Sequence, residues 1–327
     1  MVNARIAAIS SYVPEDILDN EMLSKMVDTN DEWITSRVGI KSRRILKGEG
    51  LGSSYMGVQC VNKILQETGL APEDIDLLIC ATTNPDYRFP STGSIICHEC
   101  GLTNAYSYDS EAACAGFLIS LQDARGYICS GIYKNVIVVA TEKMSSMVNY
   151  KDRATCPLFG DGAGAVLVQA TDKPVGVIDA MFRVDGSGLE HLVMKAGGSV
   201  LPASHETIDK DLHFVYQEGR SVYKHAVTNM LTSSLEVMRR NNLTVDDVDY
   251  VVPHQANLRI IEAVAQRAGF PMEKVLVNIQ ERGNTSGATI PICLDEFKHQ
   301  LKPGDKLILT AFGAGFTWGA MYLIWDI

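Results

Sequence analysis

LAPEDIDLLICATTN (residues 70–84) and LTVDDVDYVVPHQAN (residues 243–257) follow one pattern 173 positions apart. Each leaves a loop, takes an Asp-x-Asp step, runs through an apolar strand and ends polar, on Asn84 in the first copy and Asn257 in the second. Around them the pattern continues in the same order. NVIVVATE (135–142) returns at an offset of 171 as KLILTAFG (306–313), and CAGF (114–117) is set at the same offset against TSGA (285–288). GAGAVLVQA (162–170) and TWGAMYLIW (317–325) close the two series. A repeat of this length is a duplicated folding unit. Each copy alternates amphipathic helices, such as SSYMGVQCVNKILQETG, with short β-rich runs apolar on both faces. The expected class is α/β: two pseudo-repeated halves, 1–172 and 173–327, stacked as a five-layered α/β/α/β/α body. The boundary lies at the turn-forming QATDKPVGV.

Composition sets the outer limits. With 46% hydrophobic and 21% charged residues in 327, the chain has the make-up of an ordinary globular protein. No apolar run reaches the roughly 18 residues of a membrane span. The start, MVNARIAAISSYVPEDI, reads as a first strand and not as a signal peptide, so a cytoplasmic, membrane-free protein is expected. A net charge of −10 argues against a nucleic-acid partner. Eight cysteines in such a chain do not suggest a disulfide framework. Cys97 and Cys100 form a CxxC, but no second CxxC or nearby His pair completes a zinc site, and no metal is expected.

Ligands of open α/β sheets gather at the carboxyl ends of strands. The duplication therefore draws together the strand-to-helix turns at Cys114 and at Asn284–Ser286, and the strand end at His254. Taken singly, each has an ordinary reading. Cys114 in EAACAGF is either a small core residue or a nucleophile whose thiolate is favoured by a helix start. His254 in VVPHQAN is a satisfied core histidine or a functional one. Asn284 in ERGNTSGAT is turn chemistry, an N-cap, or a carboxamide donor.

Together, EAACAGF, FGDGAGA, HQANLRI, GNTSGAT and AFGAGFTWG resemble β-ketoacyl-acyl carrier protein synthase III, an initiating condensing enzyme of the thiolase superfamily, over essentially the whole chain. The resemblance implies a thiolase-like fold and a ping-pong reaction. Cys114 would take the acyl group of an acyl-CoA. Malonyl-acyl carrier protein would then lose carbon dioxide, with His254 Nε2 and the Asn284 amide donating to the enolate oxygen. The backbone N–H groups of Cys114 and Ala314 would form the oxyanion hole. The family usually carries three consecutive glycines where this chain has Gly313-Ala314-Gly315, and a positive φ at Ala314 would add strain of about 1–2 kcal/mol.

The resemblance further implies a coenzyme A site with adenine between Trp33 and Arg153, phosphate on Arg37, and pantetheine along Gly219 and Asn257. Phe89 would cross the interface of a homodimer and close the partner's acyl pocket. Lys224, Arg259 and Arg267 would dock the acidic carrier protein, with Arg220 added as their neighbour. No cofactor is implied, because the coenzyme A thioester is a substrate.

The order Cys, His, Asn also occurs in papain-like proteases, whose CGSCW-like flank is absent here. Closer alternatives are Cys-His-Asn condensing enzymes of secondary metabolism: polyketide, alkylquinolone or head-to-head long-chain condensations. A non-catalytic acyl-binding scaffold is a further class, against which the presence of Cys114 speaks. Starter chain length and branching depend on pocket depth near Phe89, Cys156 and Leu158.

Overall fold

A computed structural model describes residues 2–327. Nine strands form two sheets. The first contains β1 (Asn3–Tyr12), β2 (Leu77–Ala81), β3 (Tyr106–Ser110), β4 (Asn135–Lys143) and β5 (Asp161–Thr171), in the order β1-β5-β4-β2-β3. The second contains β6 (Gly176–Val184), β7 (Tyr250–Pro253), β8 (Lys306–Gly313) and β9 (Thr317–Ile324), in the order β6-β9-β8-β7. The two orders are the same path. In each, a middle strand pair runs parallel (β2 with β4, β7 with β8) and the remaining pairings toward the other edge are antiparallel. The place beside β7 that matches β3 beside β2 is held by one parallel bridge, Val251 to Val275.

Strand alternation explains the layering. In β2, Leu77, Ile79 and Ala81 face a central core, while Leu78 and Cys80 face an outer one. In β4, Val136, Val138 and Ala140 turn inward and Ile137 and Val139 outward. In β8, Leu307, Leu309 and Ala311 turn inward and Ile308 outward. Strands buried on both faces need helices on both. Between the sheets lie α3 (Gly116–Cys129) and α6 (Thr289–Phe297), whose Phe117, Leu121, Ile290 and Ile292 fill the central core. Outside the first sheet, α2 (Ser53–Thr68) lays down Met56, Cys60, Val61 and Ile64. Outside the second lie α4 (Gly219–Arg240) and α5 (Leu258–Ala268). The result is the five-layered α/β/α/β/α thiolase-like body. An earlier short helix, α1 (Asp31–Val38), sits near α5 and carries Trp33 and Arg37.

Gly176 begins β6 with φ +87°, and a Cβ there would collide with the Ala4 carbonyl. The chain can pass from one sheet to the other this closely only without a side chain. Among the described residues no helix is long and apolar enough to cross a membrane. All eight cysteines are free. Cys97 lies in the last turn of the helix Thr92–Glu99, and Cys100 is its C-cap.

The structure corrects one register. Before α3 stands a single 3-10 turn, Ala113–Ala115, and before α6 another, Ser286–Ala288. Each begins on a residue of positive φ, Ala113 at +46° and Ser286 at +51°. Their separation is 173, not the 171 read from CAGF and TSGA, so Cys114 corresponds to Gly287 and not to Thr285. The letter match followed small residues; backbone geometry follows the turn.

Candidate active site

One cavity of about 1520 Å³ opens between these turns. Its lining includes Cys114, His254, Asn284, Ser286, Thr83 and Ala314. Cys114 lies in the 3-10 turn at the start of α3, half-buried. His254 follows β7 directly, its N–H donating to the Thr310 carbonyl of the neighbouring strand (2.8 Å). Asn284 is held by backbone on both sides: its N–H donates to Leu158 O (2.8 Å), and Gly160 N–H donates to Asn284 O (3.0 Å).

Ser286 joins the three. Its hydroxyl accepts from the Cys114 thiol (Sγ to Oγ, 3.7 Å). Its N–H donates to Asn284 Oδ1 (2.8 Å), which leaves the Asn284 Nδ2 hydrogens to face the cavity. Its carbonyl lies 3.0 Å from Thr289 Oγ1, and Thr289 Oγ1 lies 2.7 Å from His254 Nδ1. Thr289 has one hydroxyl proton for two acceptors. When it donates to Nδ1, the neutral imidazole carries its proton on Nε2.

Burial dominates the electrostatics. It pushes His254 down to about 3, so the imidazole is neutral throughout the physiological range. It pushes the Cys114 thiol up to about 12, with the Ser286 hydrogen bond opposing and the nearby Glu142 carboxylate adding to the rise. A helix start was expected to favour thiolate; in the folded protein desolvation outweighs it, and Cys114 rests as a thiol at neutral pH.

Gly313 ends β8 against Cys114: a Cβ on it would stand 2.7 Å from Cys114 N. The Gly313–Ala314 turn therefore reaches the start of α3 at backbone distance. Ala314 is half-buried and does not have positive φ, so the strain considered for its methyl group is absent.

The remaining expected residues spread from the floor of the cavity to its rim. Trp33 lines it half-buried, with the Arg153 guanidinium 4.6 Å and that of Arg37 6.0 Å from its ring centre. Arg153 also meets Asp28 in an exposed ion pair of 3.4 Å. Gly219 and Asn257 line the cavity from the starts of α4 and α5, and Asn257 Oδ1 caps α5 by accepting from Arg259 N–H (2.9 Å). Arg220 and Arg259 stand exposed on the rim, the latter 5.7 Å above the Tyr223 ring. Lys224 and Arg267 are exposed but do not line the cavity, nor does Cys156, whereas Leu158 does. Phe89 is 86% exposed and also lies outside the lining.

The sequence reading named Ser286 only as the end of its turn and passed over Thr289, Thr83 and Glu142. Glu142 had a visible signal: it is a carboxylate at the end of a strand that is otherwise almost wholly apolar, NVIVVATE.

Comparison with known proteins places the chain in a family. Residues 108–186 match the family described as 3-oxoacyl-[acyl-carrier-protein (ACP)] synthase III, and residues 238–325 match its C-terminal part. The β-ketoacyl-[acyl-carrier-protein] synthase III of Porphyromonas gingivalis is 56% identical, covering 99% of this chain and 97% of its own. The crystal structure of 3-oxoacyl-[acyl-carrier-protein] synthase III from Aquifex aeolicus superposes with a TM-score of 0.90 at 41% identity, covering 98% of this chain and 100% of its own. The priming β-ketosynthase of a polyketide biosynthetic pathway reaches a TM-score of 0.90 at 33% identity, covering 99% of this chain and 96% of its own. The chain belongs to the 3-oxoacyl-[acyl-carrier-protein] synthase III family of condensing enzymes.

Proposed function

We propose that this protein is an acyltransferase that condenses a short acyl-CoA with malonyl-acyl carrier protein, by a ping-pong decarboxylative Claisen reaction, to initiate fatty-acid synthesis. The observation that carries this reading is the convergence of Cys114, His254 and Asn284 on Ser286 at one cavity floor. Cys114 Sγ attacks the thioester carbonyl, the carbon–sulfur bond to coenzyme A breaks, and the acyl group stays on the enzyme. The N–H groups of Cys114 and Ala314 receive the oxyanion, a role supported by the close approach at Gly313. When malonyl thioester follows, its carboxylate leaves as carbon dioxide and the electron pair enters the enolate. His254 Nε2–H and the Asn284 Nδ2 hydrogens hold the enolate oxygen, a role that requires Thr289 to turn its one proton from the Ser286 carbonyl to His254 Nδ1. The enolate carbon then attacks the acyl-Cys114 carbonyl, the carbon–sulfur bond to Cys114 breaks, and the released thiolate takes up a proton from water to restore the thiol.

A neutral imidazole suits this task. It donates without offering a strongly acidic proton to the carbanion. No cofactor enters the scheme. In this reading Trp33 and Arg153 hold the adenine, and since the guanidinium now lies 4.6 Å from the ring centre, Arg153 must move off the ring to admit a base. Arg37 meets phosphate, and Gly219 and Asn257 flank pantetheine. Residues 1–172 and 173–327 act as the two halves, the first supplying the nucleophile and the second His254 and Asn284. Phe89, exposed on its loop, meets a second copy in a homodimer. A cytoplasmic location accords with eight free cysteines.

The test is intact-protein mass spectrometry with a panel of acyl-CoA thioesters. The expected result is a single acyl adduct that is consumed, with release of carbon dioxide, when malonyl-acyl carrier protein is added. No adduct, or an adduct untouched by the malonyl substrate, overturns the proposal. The likeness to a polyketide priming enzyme favours a second reading, in which the same chemistry starts a secondary metabolite. A preference for a dedicated carrier protein over that of fatty-acid synthesis would select it.

Lys224, Arg259 and Arg267, with Arg220, serve as docking cations for the carrier. An enzyme of net charge −10 repels an acidic partner unless such cations rim the entrance. Arg259→Glu is expected to raise KM for malonyl-acyl carrier protein about fivefold to tenfold while leaving acylation by acyl-CoA within twofold. Steady-state kinetics of the two half-reactions check it; equal loss in both removes the docking role.

A further inference from the structure

Glu142 is a fully buried carboxylate with no cation against it. It is the last residue but one of β4, and because β2 runs parallel to β4 with Ala81 opposite Ala140, the residues that follow β2, Thr82 and Thr83, arrive beside it. Its oxygens accept from Thr83 Oγ1 (2.6 Å), Thr83 N (3.0 and 3.2 Å), Asn84 N (3.2 Å) and Thr82 Oγ1 (3.3 Å). Lys143, next in the chain, is engaged elsewhere, donating to Leu51 O (2.6 Å). The titratable groups that face Glu142 are the thiols of Cys114 and, through β2, Cys80. None of the reaction steps above uses this carboxylate.

A continuous line of hydroxyls connects it to the nucleophile. Thr83 Oγ1 lies 3.3 Å from Ser286 Oγ, which lies 3.7 Å from Cys114 Sγ. An ionised carboxylate only accepts, so it fixes the direction of every bond in the line. Thr83 donates to Glu142 and has only lone pairs left for Ser286. Ser286 therefore donates to Thr83 and turns a lone pair to the Cys114 S–H. Both hydroxyls also line the cavity.

We propose that Glu142, acting through Thr83 and Ser286, is the proton acceptor that activates Cys114 for acyl transfer. The proposal rests on the acyl-transfer reading above. As Sγ bonds to the thioester carbon, its proton passes to Ser286 Oγ, the Ser286 proton to Thr83 Oγ1, and the Thr83 proton to the carboxylate. The negative charge moves from Glu142 to the thioester oxygen, so the buried site never holds two. When the bond to coenzyme A breaks, the same line returns the proton to the departing thiolate, and Glu142 is again ionised. The scheme accounts for a nucleophile that burial keeps as a thiol. Burial also lifts Glu142 to about 7, the Thr83 and Asn84 hydrogen bonds opposing it, which places its titration where exchange with a thiol proton is useful.

The experiment is quench-flow acylation of the full-length protein from pH 5.5 to 9, using whichever thioester labels the wild type fastest among acetyl-, isobutyryl- and hexanoyl-CoA. The wild-type rate should climb with pH through about 7 and then level, because the carboxylate form is required. Glu142→Gln and Thr83→Val should each slow acylation about 30- to 100-fold at pH 8 and flatten the pH dependence. Thr83→Ser, which restores the hydroxyl, should stay within threefold of wild type. Condensation from preformed acyl-enzyme should change less than threefold in all variants. If Glu142→Gln does not fold, the Thr83 pair decides. Equal rates in Thr83→Val and Thr83→Ser, a pH limb that survives in Thr83→Val, or equal losses in both half-reactions overturn the relay. A wild-type protein that takes no acyl group from any thioester overturns the acyl-transfer reading itself.

Discussion

Cys114→Ala will form no acyl adduct with any acyl-CoA and will lose condensation by about 10⁴-fold or more, the order seen when a nucleophile is deleted. The substitution removes one sulfur at the floor of a cavity of about 1520 Å³, so the protein should remain folded. The φ of +46° belongs to Ala113, and Cys114 itself needs no unusual backbone. The His254–Thr289 and Asn284–Ser286 contacts do not involve the thiol and should persist. The variant should therefore still bind malonyl-acyl carrier protein and decarboxylate it slowly. Intact mass together with carbon dioxide release measures both halves. An adduct of normal mass on the Ala variant would show that a residue other than Cys114 is the acyl carrier.

His254→Ala should leave acylation nearly intact and slow condensation about 100- to 1,000-fold, the effect of removing one preorganised donor to an oxyanion. The pH dependence discriminates further. Burial holds His254 down to about 3, so its neutral form is complete from pH 5 upward and protonation is confined to strong acid. Condensation from preformed acyl-enzyme should consequently show no limb near the ordinary histidine value of about 6.5. A limb there, abolished in the Ala variant, would mean that the imidazole is hydrated and works as a general base. Thr289→Val would remove the hydroxyl that lies 2.7 Å from Nδ1; it should depress condensation in the same direction as His254→Ala and spare acylation.

Much of the fold was legible because its signal is local and repeated. Leu77–Ala81 and Val136–Ala140 are apolar at successive positions, which only a strand covered on both faces requires. The second copy of each segment then announced the second sheet. Cys114, His254 and Asn284 were legible for a related reason: each ends a strand or opens a helix, the places where such sheets expose their chemistry. The register between the turns was misread, since CAGF and TSGA are alike in residue size but not in backbone. Ala113 and Ser286 are equivalent because both take positive φ, a property of the folded turn that neither residue type advertises.

By itself, then, the amino-acid order determined the duplicated α/β architecture, the family, and three side chains that the fold brings to one cavity, to which we assign the acyl group and the enolate. Tertiary structure alone decided their electrical state and their connections. Parallel pairing of β2 with β4 sets Thr83 on Glu142, residues 59 positions apart, and stacking of the halves sets Ser286 on Cys114, 172 positions apart. The reason is physical. Periodicity and turn chemistry act between neighbours in the chain, whereas desolvation and hydrogen-bond direction depend on what the fold packs around a group. That is why a thiol expected to be acidified by a helix proves to be held protonated by burial.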